Sequence, residues 1–465
     1  MVLRRYKRNL QRVQEMKEED VLSGYLDSFA RSLDPHSSYF SGDTMEDFRI
    51  SMALSLEGIG ATLSSQDGYT VIEALIPGGA AAREGTLRPK DKIVAVGQGE
   101  CDSKSEATTA CANENVIEVD LRDVVKKIRG KKGSKVRLTV MREGGDKKRF
   151  NLTLVRDKVK LEDEAASISY LDREVDGRKL KIGLVDLPSF YSDSRPGGRT
   201  AATDLKKILH EAKQKNVDSL VLDFSSNGGG SLDDAVKIAG LFFKTGAVVK
   251  QSAKKGKETL LSDEDEEVDY AGPMVVLTSR ISASASEIVA GTLQDYHRAV
   301  IVGADHTFGK GTVQSVIPLP QGLGAAKVTV GMFYTPGGNS TQHRGVDADV
   351  VLPGALSSDD VGEKTLDYSL PPSSLASFIS KSAFVDEGAG KWKKISSEEV
   401  KKLKDLSSIR VAKSEEFKKI IEEAKKANKK DSLVDLSENF QERVESKKKE
   451  EGVEKDQFGN RTKDS

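Results

Sequence analysis

Apolar residues recur at helical spacing along the first 50 residues of the chain. This period predicts helices with one apolar face. The pattern breaks at Asp34-Pro35, because the residue before a proline disfavours the helical conformation. We therefore predict a helical N-terminal region over residues 1–50, too small to be a catalytic unit by itself. The positions that carry the period are Leu10, Val13, Met16, Val21, Leu22, Tyr25, Leu26, Phe29 and Leu33.

Residues 51–158 change to short apolar and alternating runs, which are typical of β-strands separated by glycine-rich turns. One helix is predicted over residues 121–128, because Asp120 can cap its first turn. The pattern indicates a β-rich domain with a single long helix. The clearest predicted strands are residues 69–76, 136–141 and 149–155.

Residues 159–355 alternate strand-like and helix-like segments, which predicts an α/β domain. In such domains the catalytic groups lie where strands end in turns. The predicted strands are residues 180–187, 219–224, 274–278 and 299–302, and the predicted helices are residues 203–215, 233–243 and 285–296.

Residues 356–465 differ again in composition. Pro371-Pro372-Ser373-Ser374 marks a linker, and from Ser396 the chain is rich in Lys, Glu and Asp. A sparse apolar stripe that includes Phe417 and Ile420 predicts charged helices, which we interpret mainly as a solvated surface. The expected fold class is thus a multidomain α/β and α+β protein: a helical N-terminal region, a β-rich domain, an α/β core and a helical C-terminal region.

The charge balance argues against two classes of partner. The formal net charge is −1, from 72 basic and 73 acidic side chains, so no overall field favours nucleic acid or a membrane surface. No segment is long and apolar enough to span a bilayer, and the first residues lack the apolar core of a signal peptide. The protein is either intracellular or a mature or trimmed form of an exported one.

The two cysteines, Cys101 and Cys111, do not have the spacing of metal ligands. A local disulfide between them is slightly favoured over two free thiols.

The segment from Ser282 to Glu287, Ser-Ala-Ser-Ala-Ser-Glu, follows a predicted buried strand and opens a helix. Small neighbours would leave the Ser284 hydroxyl accessible to a carbonyl group, and the free N–H of Ala285 at the helix start could stabilise an oxyanion. However, Ser284 and Glu287 also have the spacing of a capping box. By itself, the segment favours simple capping over catalysis.

A second segment changes that balance. Lys310 lies between Gly309 and Gly311, soon after a predicted strand, and Gln314 follows four residues later. Close backbone packing around a lysine stem disfavours the ammonium form, so the amine can accept a proton from a serine. Gln314 could orient that amine. The glycines faintly resemble a phosphate-binding loop, but the upstream glycine is missing.

A third segment, Asp223-Phe-Ser-Ser-Asn-Gly-Gly-Gly230, ends a predicted strand in three glycines. Such a turn can bring main-chain N–H groups close to a ligand, so Gly229 or Gly230 is a candidate second oxyanion donor. Alone, it could be only a tight turn. A rival mechanism would use a histidine as the base; His306, beside Asp305 and four residues before Lys310, keeps that alternative open.

Together these three segments resemble the C-terminal processing peptidases, in particular their tail-specific branch. The N-terminal run Ser32-Leu-Asp-Pro-His-Ser-Ser-Tyr39 and the later run Thr341-Gln-His-Arg-Gly-Val346 fit the same resemblance. It implies Ser284 as nucleophile, Lys310 as base, Gln314 as support and Ala285 with Gly229 or Gly230 as oxyanion donors. It also implies a core of the ClpP/crotonase-like type, no metal or other cofactor, and a periplasmic or otherwise exported location.

The resemblance further implies that residues 51–158 form a PDZ domain. Its carboxylate-binding loop would contain Gly58, Ile59, Gly60 and Ala61, and Ile59, Leu63 and Val124 would line the pocket for the last side chain. Main-chain N–H groups of such a loop bind a terminal carboxylate while the peptide adds to a sheet edge. Taken alone, Gly58-Ile59-Gly60 would be a turn between strands.

We therefore expect a serine endopeptidase that selects proteins by their unstructured or apolar C-terminal tails. Its partners would be protein or peptide substrates with free C-termini, and the sequence does not identify any adaptor protein. We also expect tail binding to complete the arrangement of Ser284, Lys310 and Gln314. The alternatives are a non-catalytic scaffold that binds tails, or a hydrolase assisted by His306.

Overall fold

The structure is a computed structural model. It describes residues 16–100, 112–143, 148–354, 356–357, 360–385, 387–388 and 390–428, together with positions 6, 10, 13 and 14. Cys101 and Cys111 lie outside the described residues, so their predicted pairing stays a prediction.

The N-terminal region contains two helices, α1 (Glu18–Arg31) and α2 (Gly42–Ala53), joined through the short strand β1 (Ser38–Phe40). The predicted helical pattern therefore holds on both sides of the break at Asp34-Pro35, but the strand was not predicted. No residue of α1 is buried, so its apolar stripe faces solvent in the part of the chain that the structure describes.

The β-rich domain is an antiparallel sheet with two helices. Asp120 caps the longer helix as predicted: its side chain accepts a hydrogen bond from the Arg122 N–H, 2.9 Å long. The short strands β2 (Ser55–Gly58) and β9 (Asp157–Lys160) pair with each other where the chain enters and leaves the domain. In sheet order the other strands are β3 (Ala61–Gln66), β4 (Tyr69–Leu75), β5 (Lys92–Gln98), β7 (Lys135–Arg142) and β8 (Lys148–Val155), with β6 (Glu114–Asn115) beside β5; the helices are α3 (Ala80–Glu84) and α4 (Leu121–Ile128).

The α/β core is built on a six-stranded sheet. The first strand is antiparallel to the second, and all further neighbours are parallel. In sheet order the strands are β10 (Ser167–Val175), β11 (Arg178–Asp186), β12 (Ser219–Asp223), β15 (Met274–Thr278), β16 (Val300–Gly303) and β19 (Val350–Val351), and the helices between them are α5 (Ala201–Gln214), α6 (Leu232–Gly240) and α7 (Ala285–Asp295).

A second, five-stranded sheet covers part of this core. Strand β1 of the N-terminal region is one of its members, because Ser38 lies opposite Lys327 in an antiparallel pair. This pairing attaches the N-terminal region to the core. The remaining strands are β13 (Gly246–Ala253), β14 (Lys257–Asp263), β17 (Thr312–Pro318) and β18 (Ala325–Tyr334).

The C-terminal region ends in two helices, α8 (Ser397–Lys413) and α9 (Glu415–Asn428). The segment before them is more than a linker, since Ala383 and Trp392 are buried in the main hydrophobic cluster of the core. Short 3-10 turns occur at Glu162–Glu164, Lys254–Gly256, Pro320–Gly322, Glu363–Thr365 and Lys381–Ala383. No helix within the described ranges is long and apolar enough to cross a membrane.

Candidate active site

The three sequence segments singled out above meet at one edge of the six-stranded sheet. They follow β12, β15 and β16, which are parallel neighbours, so their ends lie side by side. Two main-chain hydrogen bonds join the loops: Ala283 N–H to Asn227 O at 3.2 Å, and Phe308 N–H to Ser282 O at 2.9 Å. The fold thus brings Ser284, the triple-glycine turn and the lysine loop together.

Of the serines at 282, 284 and 286, only Ser284 has an exposed part. Ser282 and Ser286 are fully buried. Their hydroxyls donate to main-chain carbonyls of the triple-glycine turn, Phe224 O at 2.7 Å and Asn227 O at 2.9 Å. The hydroxyls of Ser282 and Ser286 thus connect the serine segment to the triple-glycine turn. Among these three serines, Ser284 is the one whose hydroxyl is accessible to a substrate.

The backbone at Ser284 is strained. Its φ of 57° and ψ of −111° lie outside the regions that L-residues favour. Strain of this kind is concentrated at functional sites, where the surrounding structure maintains it. The Ser284 side chain makes no helix-capping hydrogen bond, although its N–H meets the Glu287 carboxylate as in a capping box. The hydroxyl is therefore not consumed by capping.

The Glu287 carboxylate connects the serine to the lysine loop. Its Oε2 accepts from the N–H groups of Ser284 at 2.8 Å and Lys310 at 2.9 Å. Its Oε1 accepts from the Gly309 N–H at 2.7 Å and the Thr307 hydroxyl at 2.6 Å. Glu287 is fully buried, and burial raises its pKa to about 7 although these four donors favour the carboxylate.

Lys310 has the electrostatics expected of a general base. Burial of its amine and the nearby charge of Lys327 lower its pKa to about 8, against the opposing effect of three carboxylates, Glu363, Glu287 and Asp34. Its Nζ has no hydrogen-bond or ion-pair partner among the described residues. The amine is thus available to accept a proton.

The two glycines beside Lys310 are required by close packing, as the sequence predicted. A Cβ at Gly309, whose φ is +93°, would lie 3.0 Å from the main chain of His343. A Cβ at Gly311 would lie 2.7 Å from the Gln342 nitrogen. On the same side, the Thr341 hydroxyl donates to Lys310 O at 2.9 Å, which holds the lysine main chain in place.

The predicted partner of the lysine, Gln314, is held by threonines. Its Nε2 donates to Thr312 Oγ1 at 2.9 Å and to Thr329 Oγ1 at 3.1 Å. No described hydrogen bond joins Gln314 to Lys310. The amide oxygen of Gln314 is the atom left to accept from the amine.

The candidate oxyanion donors differ in whether their main-chain N–H groups already donate to another acceptor. The Gly229 N–H donates to Asn227 Oδ1 at 2.8 Å. The Ala285 and Gly230 N–H groups have no acceptor among the described residues. Gly229 nevertheless lies against the nucleophile, since a Cβ there would come within 2.9 Å of Ser284 Cβ. The arrangement therefore favours Ala285 and Gly230 as donors, with Gly229 providing the close approach.

None of the described hydrogen bonds of His306 involves Ser284. Its Nδ1 lies 2.5 Å from Thr307 O, and its main chain forms an isolated bridge with Asp347. Within the described ranges, no cluster of three or more His, Cys, Asp or Glu side chains has the arrangement of a metal site.

Sequence reasoning missed the side chains that hold these loops. Asn227, Thr307, Thr341 and Gln342 are among them, and each forms a hydrogen bond with a main-chain or carboxylate group far away in sequence. The run from Thr341 was noticed only for its resemblance to the family. Its sequence contains no signal that it packs beneath Lys310.

The β-rich domain has an edge strand directly after the predicted carboxylate-binding loop. Strand β3 is at the edge of its sheet and can accept another strand. The N–H groups of Ile59 and Gly60 have no acceptor among the described residues, whereas their carbonyls accept from Ala81 and Ile76 N–H groups. Ile59 and Val124 are buried in one hydrophobic cluster, against which Ala61 and Leu63 pack. Gly58 is buried and directly precedes these two N–H groups.

Three segments of the chain match known families. Residues 181–352 match peptidase family S41, residues 47–141 match the PDZ domain, and residues 1–43 match the tail-specific protease N-terminal domain. Ser284, Lys310 and Gln314 all lie within the first of these matches.

The chain also resembles individual proteins. It is 37% identical to a tail-specific protease of Haemophilus influenzae over 94% of this chain, and spans only 60% of that relative. It is 30% identical to a carboxy-terminal-processing protease of Bartonella bacilliformis, with 80% of this chain and 78% of the relative covered. The solved structure of a photosystem II D1 C-terminal processing protease is 27% identical in sequence. The match covers 75% of this chain and 86% of that chain, with a TM-score of 0.41. The chain therefore belongs to peptidase family S41, the C-terminal processing peptidases, in the tail-specific branch.

Proposed function

We propose that this chain is a serine endopeptidase that cleaves proteins selected by their C-terminal tails, with Ser284 as nucleophile and Lys310 as general base. One observation carries the proposal. The buried Glu287 carboxylate holds the main chains of both residues, while the Lys310 amine has a pKa of about 8 and no described partner. A base with a pKa near the working pH combines a sizeable neutral fraction with useful basicity.

The acylation step follows from this arrangement. Lys310 Nζ takes the hydroxyl proton of Ser284 as Oγ forms a bond to the substrate carbonyl carbon, and the carbonyl π electrons move to oxygen. The N–H groups of Ala285 and Gly230 donate to that oxyanion, and the N-terminal dipole of α7 adds to the effect. We assign Gly229 a shaping role, because its own N–H is engaged by Asn227.

The tetrahedral intermediate then breaks down. The Lys310 ammonium gives its proton to the leaving amine as the C–N bond breaks, which leaves an acyl group on Ser284. Lys310 next takes a proton from water, whose oxygen attacks the ester carbonyl, and the proton returns to Ser284 Oγ when the acid is released. Gln314, fixed by Thr312 and Thr329, is proposed to orient the amine through its amide oxygen.

We propose that the PDZ domain binds the substrate's C-terminus. The N–H groups of Ile59 and Gly60 would take the carboxylate, Gly58 and Ala61 shape the loop, and Leu63 contacts the last side chain. The open edge of β3 supports this assignment, because it allows the tail to add as a strand. We further propose that tail binding moves this domain and completes the catalytic arrangement.

The extents of the domains are part of the proposal. We propose an N-terminal region over residues 1–50, a PDZ domain over 51–158, a protease core over 159–355 and a C-terminal region over 356–465.

We also propose a periplasmic or otherwise exported location, because the chain resembles the tail-specific branch. Fractionation of cells that express the protein from its native gene would test the location.

The proposed function is tested with an unfolded protein that ends in an apolar tail. Wild type, Ser284→Ala, Lys310→Ala and His306→Ala are compared for cleavage and for tail binding. We expect Ser284→Ala and Lys310→Ala to lose roughly three or more orders of magnitude in kcat and to bind tails normally. Tail binding without cleavage by the wild type would instead indicate a scaffold. Loss of cleavage in His306→Ala with full activity in Lys310→Ala would make the histidine the base.

A further inference from the structure

The turn formed by residues 34–37 lies beside the proposed active site, although it belongs to the N-terminal region. Asp34 organises the turn: its Oδ1 accepts from the N–H groups of His36 and Ser37, both at 3.0 Å. The turn leads directly into β1, which pairs with β18 of the core. It is therefore fixed on the strand that also borders β17, where Gln314 lies.

One chain of hydrogen bonds runs from this turn to the lysine loop. His36 Nε2 lies 2.7 Å from Glu363 Oε2, and Glu363 is fully buried. Its other oxygen, Oε1, accepts from Gln342 Nε2 at 3.0 Å. Gln342 Oε1 in turn accepts from the Gly311 N–H at 2.8 Å. His36 is thus connected to the residue that follows Lys310.

A second chain runs from the same turn to Gln314. Asp34 Oδ1 accepts from the Thr329 hydroxyl at 2.8 Å, and that hydroxyl oxygen accepts from Gln314 Nε2 at 3.1 Å. The Thr329 N–H also donates to the Ser37 hydroxyl at 3.1 Å. Two hydrogen bonds therefore join the turn to Thr329 of β18. The two chains share no atoms beyond the turn: one ends at Gly311, the residue after Lys310, and the other ends at Gln314.

The turn also holds negative charge near the lysine. The carboxylates of Asp34 and Glu363 raise the pKa of Lys310, together with Glu287, whereas burial and Lys327 lower it. Hydrogen bonds from Ser37 and Thr329 keep the pKa of Asp34 below its ordinary value despite its burial, so its carboxylate is charged at neutral pH. Moving either carboxylate would change the field at the amine.

We propose that the turn of residues 34–37 is a positioning element of the protease site, in which His36 acts through Glu363 and Gln342 on Lys310, and Asp34 acts through Thr329 on Gln314. This inference rests on the proposed function. Neither residue touches the reacting atoms; each fixes a group that does. The N-terminal region therefore completes the active site and is not only an attachment to it.

The test measures kcat and KM on a short chromogenic peptide in the presence of a saturating apolar tail peptide, which keeps tail docking the same for every variant. His36→Ala and Thr329→Val are expected to lower kcat about 10- to 100-fold, since small misplacements of catalytic groups cost that much. KM should stay within about twofold. His36→Gln should recover most of the loss, because its amide nitrogen can still donate to Glu363. Asp34→Asn should move the pH midpoint of kcat downward, because it removes a charge that raises the pKa of Lys310.

Two controls make the outcome decisive. His210→Ala, at an exposed position where the described hydrogen bond of the ring is to Gln214, should match the wild type. Ser284→Ala should be inactive; if it is not, the proposed function itself fails and this inference with it. If Ser284→Ala is inactive but His36→Ala and Thr329→Val keep kcat within about twofold of wild type, the positioning role alone is wrong. Should His36→Ala not fold by circular dichroism, Thr329→Val and Asp34→Asn decide.

Discussion

The main-chain N–H groups of Ser284 and Lys310 donate to the same oxygen of Glu287, at 2.8 and 2.9 Å. Two residues far apart in sequence are thereby held against one buried carboxylate. This pair of hydrogen bonds fixes the main chains of the proposed nucleophile and base relative to each other. Fixed positioning of this kind is part of the preorganisation that catalysis requires.

Replacing Glu287 by glutamine should separate the two residues. The amide keeps the shape, but its NH₂ group cannot accept from main-chain N–H donors, so one or two of the buried hydrogen bonds are lost. We expect unfolding to become easier by about 2–3 kcal/mol and kcat to fall about 100-fold. Denaturant unfolding and peptide cleavage would measure these effects. Glu398→Gln, on the exposed first turn of α8, is the control and should change neither.

The activity should rise with pH through about 8, because Lys310 accepts a proton only in its neutral form. Protonation of Glu287, whose pKa is about 7, weakens the same site on the acid side. In Glu287→Gln the pH midpoint of the remaining activity should shift downward. The reason is that the Glu287 carboxylate raises the pKa of Lys310 in the wild type, and the variant lacks that charge. A kcat/KM profile would show this. A midpoint that moves only in His306→Ala would contradict the lysine assignment.

Lys310→Met should stabilise the fold while abolishing activity. The folded pKa of Lys310, about 8, is below the 10.5 of a solvent-exposed lysine, so the unfolded chain binds more protons between these pH values. The wild type therefore gains stability as pH rises through this window. The advantage of Lys310→Met should be larger at pH 7 than at pH 10, as measured by thermal unfolding. An equal advantage at both pH values would show that the amine is not desolvated; Ser284→Ala is the inactive control.

Gly229→Ala should inactivate the enzyme. The added methyl would lie 2.8 Å from Ala283 O and 2.9 Å from Ser284 Cβ, at a φ of +105° that alanine rarely adopts. We expect a loss of at least about 100-fold in kcat. The matched change at its neighbour, Gly228→Ala, meets no atom within 4 Å and should have a much smaller effect. Similar losses in both variants would mean that general disturbance of the turn, and not the contact with Ser284, is responsible.

Tail binding should depend on the free carboxylate. Peptides with an amidated C-terminus should bind at least about 10-fold more weakly than their free acids, because the charge-assisted hydrogen bonds to the Ile59 and Gly60 N–H groups are lost. Fluorescence anisotropy with the inactive Ser284→Ala variant would measure both. Gly60→Ala should weaken only the free acid, since a Cβ there would come within 2.9 Å of Gly79 at a φ of +75°. Equal affinities for acid and amide would remove the loop from tail recognition.

Trp392 should be important for the stability of the core. It is buried against Phe384, with ring centroids 5.2 Å apart, and the Arg298 guanidinium lies 5.5 Å from its ring centroid. Trp392→Ala should cost about 3–5 kcal/mol of unfolding free energy. Tyr25→Ala, at a position 70% exposed, should cost less than about 0.5 kcal/mol. A small effect at Trp392 would show that its segment is only loosely attached.

Much of the architecture could be predicted from local patterns. The strand at Met274–Thr278 and the helix at Leu121–Ile128 have the predicted bounds, and α5, α6 and α7 differ from prediction by a few residues at their ends. These elements are strongly apolar or clearly capped, so local signals and tertiary packing agree. Strand β1 was missed because it is three residues long and exists only through its pairing with β18.

The sequence by itself determined the family, the order of the three motifs and the prediction that Ser284, Lys310 and Gln314 act together, because spacing and small flanking residues are local properties. Only the tertiary structure decided which groups hold them. The hydrogen bonds between Lys310 and Glu287, between Gly311 and Gln342 and between His36 and Glu363 join residues distant in sequence. It also decided that Gly229 has its N–H engaged and that Trp392 belongs to the core. Such contacts leave no period or spacing in the chain, since their geometry arises when sheets and loops pack together.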